Sequence, residues 1–425
     1  MMETLQGILL LLTFVGLVVY CFKGGNLLFG FLTISVLWCI IGMVPIKEVV
    51  EDVFQKSVEN YGATIAVIVF GSWFGKVIVD TGIASSIIKK TVELAGNKAL
   101  LTTILITLVC TLIFTSAFGV GSVMAIGMIV LPILFSMGLE KRIALAVYMM
   151  SVAAGMYLNI AYVSQFDVFF GANYGPSYVK FAIIATLVHV AVILCFILFH
   201  FLFKGKKRFA WAAKVPSSQN QVPGYAFIVP FIPILLVALL GWGPIPSFTV
   251  GIFAGILLTG NMKSYKRLID VMQKTLHDGV SDSGLLIGML YGVNIFQAAA
   301  NKIAPLLGGL IGNIIPSSPF VLVIAFAILA PLGLFRGPLM IFGSGAAVVA
   351  ILQAVGTFPN TFLFGLFLIP PVAIVANTCP TQSWGMWGLS YAKIEPKTYI
   401  KTGIVWSWII CAINLFIAYF MISGL

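Results

Sequence analysis

Asn159-Ile-Ala-Tyr-Val-Ser-Gln165 follows an apolar run that opens at Ile143, and Asn377-Thr-Cys-Pro-Thr-Gln-Ser383 follows another that opens at Thr361. Each polar patch falls where an apolar helix of bilayer length should still be running. Pro380 has no amide hydrogen, so a helix must break beside it unless neighbours rescue the freed groups. The two patches also correspond. Asn159 and Asn377 stand 218 residues apart (377 − 159), and Ser164-Gln165 meets Gln382-Ser383 at the same spacing. Discontinuous helices at matching positions of two halves point to a transport site at the bilayer midplane.

The correspondence extends outward. Asp52-Val-Phe-Gln-Lys-Ser57 matches Asp270-Val-Met-Gln-Lys-Thr275 at the same offset of 218, and Gly71, Gly75 and Phe118 match Gly288, Gly292 and Phe335 at 217. Matches in one order at almost one offset indicate an internal repeat. Ahead of each patch lies a long apolar segment, 99–138 and 318–355, with Phe114-Thr-Ser-Ala-Phe-Gly-Val-Gly121 or Pro331-Leu-Gly-Leu-Phe-Arg-Gly-Pro338 at its centre. Such a segment is either a re-entrant hairpin or two tightly linked crossings, and both return the chain to the side it left. Further spans read at 5–22, 26–45 and 62–82, and at 225–241, 246–261 and 283–300. Either way each half makes an odd number of net crossings, so the halves are inverted. The expected fold is an all-α polytopic membrane protein. Residues 1–203 form the first repeat, with about five spans plus the 99–138 hairpin. Residues 204–224 form a linker, and 225–425 the second repeat, again with about five spans, plus the 318–355 hairpin.

Composition agrees. Hydrophobic residues make up 60% of the 425 and charged ones 9%, too apolar a balance for a soluble domain. Leu5–Phe22 reads as a retained span, since Glu3 stands where a signal peptide carries basic residues. The six cysteines are scattered without a C-x-x-C pair, and the three histidines lie far apart, so no metal, disulfide framework or catalytic cluster is expected. The chain does not read as an enzyme. Net charge is +11, but the basic clusters flank apolar spans and lack an aromatic platform, which argues against nucleic acid. They act as topology signals. With Lys204–Lys214 in the cytoplasm, both termini lie outside the inner membrane. Only Lys47, Lys56, Lys180 and Lys302 of the 24 lysines and arginines then fall outside, with Lys76 and Arg336 in the membrane region.

Gly75-Lys-Val-Ile-Val-Asp-Thr-Gly82, followed by an amphipathic stretch and Gly96-Asn-Lys98, resembles the Gly-Lys-x-x-x-Asp-x-Gly segment of gluconate permeases. With the order of elements, it makes the chain similar to the ion-transporter superfamily, in its gluconate permease and citrate transporter branches. The resemblance implies a homodimer in lipid, scaffold and transport domains, hairpin tips meeting broken helices, and elevator-like movement.

The candidate substrate residues are neutral donors and acceptors suited to a carboxylate or hydroxyls: Asn159, Ser164 and Gln165, then Asn377, Thr378, Thr381, Gln382 and Ser383. Arg336, central in an apolar segment, must face water, a partner or substrate. Its planar fork matches a carboxylate. Thr115, Ser116 and Gly119 are its first-half counterparts. Asp167 and Asp80 are the coupling candidates, although Lys76, four residues before Asp80, shares its helical face and can pair with it locally. The favoured function is transport of a small organic anion, a hydroxy- or polycarboxylate, with Na+ or H+ as coupling ion and no other cofactor. The rival is a sodium/proton antiporter, which needs intramembrane acids and has only Asp80, Asp167 and, as a third, Asp282 to draw on.

Overall fold

A computed structural model describes residues 2–171, 176–202, 222–311 and 315–422. Most of the expected linker, 204–221, thus lies outside the described residues. All regular structure among the described residues is helical, and six helices are long and apolar enough to cross a bilayer, or seven if a bent pair counts as one span. The protein is an all-α polytopic membrane protein.

The first half begins with α1 (Met2–Phe22) and α2 (Leu27–Ile41), the latter capped by the Asn26 side chain, which accepts from the Phe29 amide. A helical stretch at 46–59 (α3) leads into α4 (Gly62–Asp80) and the amphipathic α5 (Ile83–Ala95). Next come α6 (Ala99–Phe114), α7 (Val120–Ser136), α8 (Lys141–Met156), α9 (Ile160–Phe170) and α10 (Pro176–Leu202). The second half carries α11 (Gly224–Leu240), α12 (Pro244–Leu258) and α13 (Tyr265–Ile311). It continues through α14 (Pro319–Leu329), α15 (Gly345–Val355), α16 (Asn360–Ala376), α17 (Ser383–Ala392) and α18 (Pro396–Met421).

The span expected at 283–300 is only the middle of α13, whose 47 residues would reach about 70 Å at 1.5 Å per residue. The equivalent stretch of the first half is divided into α3, α4 and α5. The difference has a local cause: Gly82 sits at φ +86 between α4 and α5, whereas its counterpart 217 residues on, Ala299, continues the helix. Near its start α13 pairs Lys274 with Asp80 (3.0 Å), and near its end Lys302 with Glu48 (2.7 Å) and Asp52 (2.9 Å). It therefore runs antiparallel to α3–α4, and α2 packs along it as well.

Lys76 and Asp80 do not pair with each other, contrary to the local ion pair that their spacing suggested. Lys76 reaches Asp282 at 3.8 Å and Asp80 reaches Lys274, because α13 lies across this face of α4 and presents the opposite charges.

Candidate functional site

The turn at the centre of each long apolar segment meets a helix break. In the first, the arms α6 and α7 both lie along α8. Thr111 donates to the Ser151 carbonyl (3.2 Å), and Tyr148 donates to the Val123 carbonyl (2.5 Å). Gly155 lets the turn come close, since a Cβ there would stand 2.6 Å from the Thr111 carbonyl oxygen. The chain then bends by 75° between α8 and α9.

The bend differs in detail from the expected interruption at 159–165. Helix resumes at Ile160, because the Asn159 side chain accepts from the Tyr162 amide and caps the new helix. Ser164 and Gln165 consequently stand on buried helical turns rather than in unwound chain. Gln165 donates to the Ala161 carbonyl (3.2 Å), and the Ser164 carbonyl accepts from Thr64 (3.4 Å). Asn159 also donates to the carbonyls of Phe114 (3.0 Å) and Ala117 (2.9 Å), fastening the first turn to the break. Thr115 donates to the Leu112 carbonyl (2.6 Å) and Ser116 to the Pro230 carbonyl. Gly119, at φ +97, opens α7.

The second break lies between α16 and α17, with Pro380 inside it. Asn377 is fully buried. Its side-chain nitrogen donates to the Ala373 carbonyl (2.6 Å) and lies 3.3 Å from His189 Nε2, its backbone carbonyl accepts from Tyr399 (2.5 Å), and its Oδ1 has no hydrogen-bond partner among the described residues. The two equivalent asparagines are thus used differently: Asn159 ties a turn, while Asn377 joins a buried network with α10 and α18. Thr378 donates to the Ile374 carbonyl (2.8 Å). Thr381 Oγ1 is 3.0 Å from Cys379 Sγ, which also accepts the Phe335 amide (3.3 Å) from the second turn. Gln382 and Ser383 are half-buried at the start of α17, and Gln382 Oε1 has no hydrogen-bond partner among the described residues.

Arg336 stands at that second turn. It is 9% exposed, and no hydrogen bond or ion pair to its guanidinium exists among the described residues. The ionisable groups within electrostatic reach are Cys379 of the second break, Tyr162 of α9 and Cys21 of α1, none of them a carboxylate. The turn is held hard. Phe335 and Arg336 have φ of +54 and +64, Ser344 donates through its amide to the Arg336 carbonyl (3.0 Å), and a side chain at Gly343 would collide with that carbonyl.

The halves interlock around this point. Phe166 of α9 contacts Phe342 of the second turn, with ring centroids 5.1 Å apart, while Trp387 of α17 lies against Gly127 of α7. Arg336, Tyr162, Cys379 and Gln382 come from the turn and the two breaks that meet there. Asp80 is held away from it by Lys274. Asp167, two residues beyond Gln165, buries Oδ1 without a partner among the described residues. Sequence reasoning passed over Tyr162 and Cys379 although both lie inside the quoted patches, because an aromatic ring and a thiol in an apolar span read as packing. It counted Asp282 only as a third acid available to the antiport reading, after Asp80 and Asp167.

No family model and no curated protein matches the chain. Among solved structures it is similar to the crystal structure of the YdaH transporter of Alcanivorax borkumensis, described as having an unusual topology. The TM-score is 0.53 over 87% of each chain, at 15% identity. That likeness establishes the fold shared with a membrane transporter.

Proposed function

We propose that the protein is a secondary active transporter of a small organic anion, a hydroxy- or polycarboxylate, driven by a proton or sodium gradient. The observation that carries this reading is Arg336, a buried guanidinium without a counter-ion among the described residues, at the junction of the second turn with both breaks. A buried charge is costly unless paired. A substrate carboxylate supplies the missing pair bidentately. The Gln382 oxygen and the Thr381 hydroxyl suit substrate hydroxyls. The fold likeness to a transporter supports transport in general. Elevator-like movement and a homodimer follow from the superfamily resemblance.

Counterflow in proteoliposomes with a panel of labelled organic acids tests the reading. One or more acids should exchange in the wild type and fail in Arg336→Gln. Equal exchange by the variant at low substrate would remove Arg336 from the site. The second reading, sodium/proton antiport, draws on two acids with a buried oxygen that accepts no hydrogen bond from the described residues, Asp167 and Asp282. It predicts sodium-driven proton flux in vesicles that contain no organic acid.

A further inference from the structure

Away from the breaks, two helices converge on the first turn of α7. From α4 come Ser72, Gly75 and Lys76, and from α13 comes Asp282. A Cβ on Gly75 would stand 2.6 Å from Ser122 Oγ and 2.7 Å from the Phe118 carbonyl, so α4 and the turn are in backbone contact. A Cβ on Gly121 would overlap the Asp282 carboxylate, which therefore lies directly on the α7 backbone. Gly119 caps α7 without a side chain, and the carboxylate lies beside the first turn, the positive end, of this 17-residue helix.

Asp282 is poorly satisfied there. Its Oδ2 is buried and accepts no hydrogen bond from the described residues, and Lys76 Nζ, at 3.8 Å, is too far to donate one. Ser72 Oγ and Ser122 Oγ, both on residues 1% exposed, are likewise without partners. The charged groups that act on Asp282 are Lys76 and Asp80 of α4 and Asp278, one turn earlier on α13. Asp80 is itself paired with Lys274, and the contacting first turn of α7 brings no titratable side chain. The Asp282 side chain is 28% exposed, so a proton can reach it.

We propose that Asp282 is a proton-binding site that holds the return arm of the first hairpin against α13 when empty and releases it when filled. As a carboxylate it attracts both Lys76 and the positive end of α7. As a neutral acid it loses that attraction, while Lys76 and the helix end still repel each other. Proton occupancy thus sets how firmly the hairpin that meets the first break is seated. The inference names the coupling ion of the proposed transporter and in that respect rests on it. The attachment itself needs no substrate to be measured.

The experiment follows a thiol introduced as Ser122→Cys, with the native cysteines replaced. Its rate of modification by a small neutral maleimide is divided by the rate in unfolded protein at the same pH, which cancels thiol ionisation. The ratio should rise on acidification by on the order of tenfold, the factor given by 1.4 kcal/mol of lost attraction. With Asp282→Asn added, it should be high and flat. Identical pH responses with and without Asp282→Asn, or a flat ratio in both, overturn the proposal. Hydrogen exchange of the first α7 turn in the unmodified protein, corrected for intrinsic rates, gives the same reading without any variant. Protection that does not fall on acidification overturns it too. Because neither measurement uses an organic acid, failure here is distinct from failure of the anion reading.

Discussion

Arg336 joins backbone strain to a buried charge. Two consecutive non-glycine residues in the left-handed region cost on the order of 1–3 kcal/mol each. The Ser344 amide and hydroxyl on the Arg336 carbonyl, and the Phe335 amide on Cys379, offset part of that and fix where the guanidinium stands. Arg336→Lys keeps the charge but loses the planar fork, so affinity for a carboxylate substrate should fall by about 30-fold, the equivalent of about 2 kcal/mol. Isothermal titration with whichever acid exchanges will read it, and unchanged affinity would contradict the site. Asn159 makes a contrasting forecast. Its amide hydrogens and oxygen all bond to backbone, so Asn159→Ala leaves buried carbonyls of the first turn unsatisfied. That should lower stability by on the order of 2–3 kcal/mol, read as a drop in Tm, with little change of affinity in the protein that remains folded.

Close backbone approach decides how the elements meet, and glycine is what permits it. At Gly343 any side chain collides with the Arg336 carbonyl, so Gly343→Ala should shift the second turn and weaken substrate binding in folded protein. Gly62→Ala, with nothing within 4 Å of the added carbon, is the control and should bind as the wild type does. Equal affinity in both variants would show that the turn tolerates displacement. The same reasoning covers Gly155→Ala, which presses on the Thr111 carbonyl and on the backbone of Phe114 and Thr115. Neither side can yield cheaply, and a loss of about 1–3 kcal/mol in thermal stability is expected. Element limits were legible wherever a breaker stands in the chain, as at Pro380. They were not legible at 157–159, where the bend follows from the hairpin seated on Gly155 and from the Asn159 cap.

For the whole molecule, the antiparallel course of α13 against α3 and α4 places Lys302 beside Glu48 and Asp52 at one end and Lys274 beside Asp80 at the other. The first cluster belongs to the loop read as external and the second to the lysine-rich cytoplasmic side. A cysteine introduced as Lys56→Cys should react with an impermeant thiol reagent in intact cells, and Gln219→Cys should react only after permeabilisation. The opposite pattern would reverse the orientation.

Much follows from the chain alone. The apolar runs and Pro380 give spans and breaks, and the 217–218 offset and the distribution of lysine give an expectation of two halves and a sidedness, because each is local or a simple count along the sequence. Only tertiary structure decided which polar groups are free. Asn159 and Asn377 stand 218 residues apart in sequence, yet the side chain of one is committed to carbonyls 45 and 42 residues away, while the other spends its Nδ2 on Ala373 and His189 of α10 and leaves Oδ1 without a partner among the described residues. Asp80 and Lys76 looked like partners, but α13 gives Asp80 a close pair in Lys274 at 3.0 Å and brings Asp282 only to 3.8 Å from Lys76. Arg336 stands out because none of the described residues, near or distant in the chain, pairs with it. Hydrogen-bonding and charge capacity are allotted by neighbours brought together in space, and periodicity along the chain carries no record of that allotment.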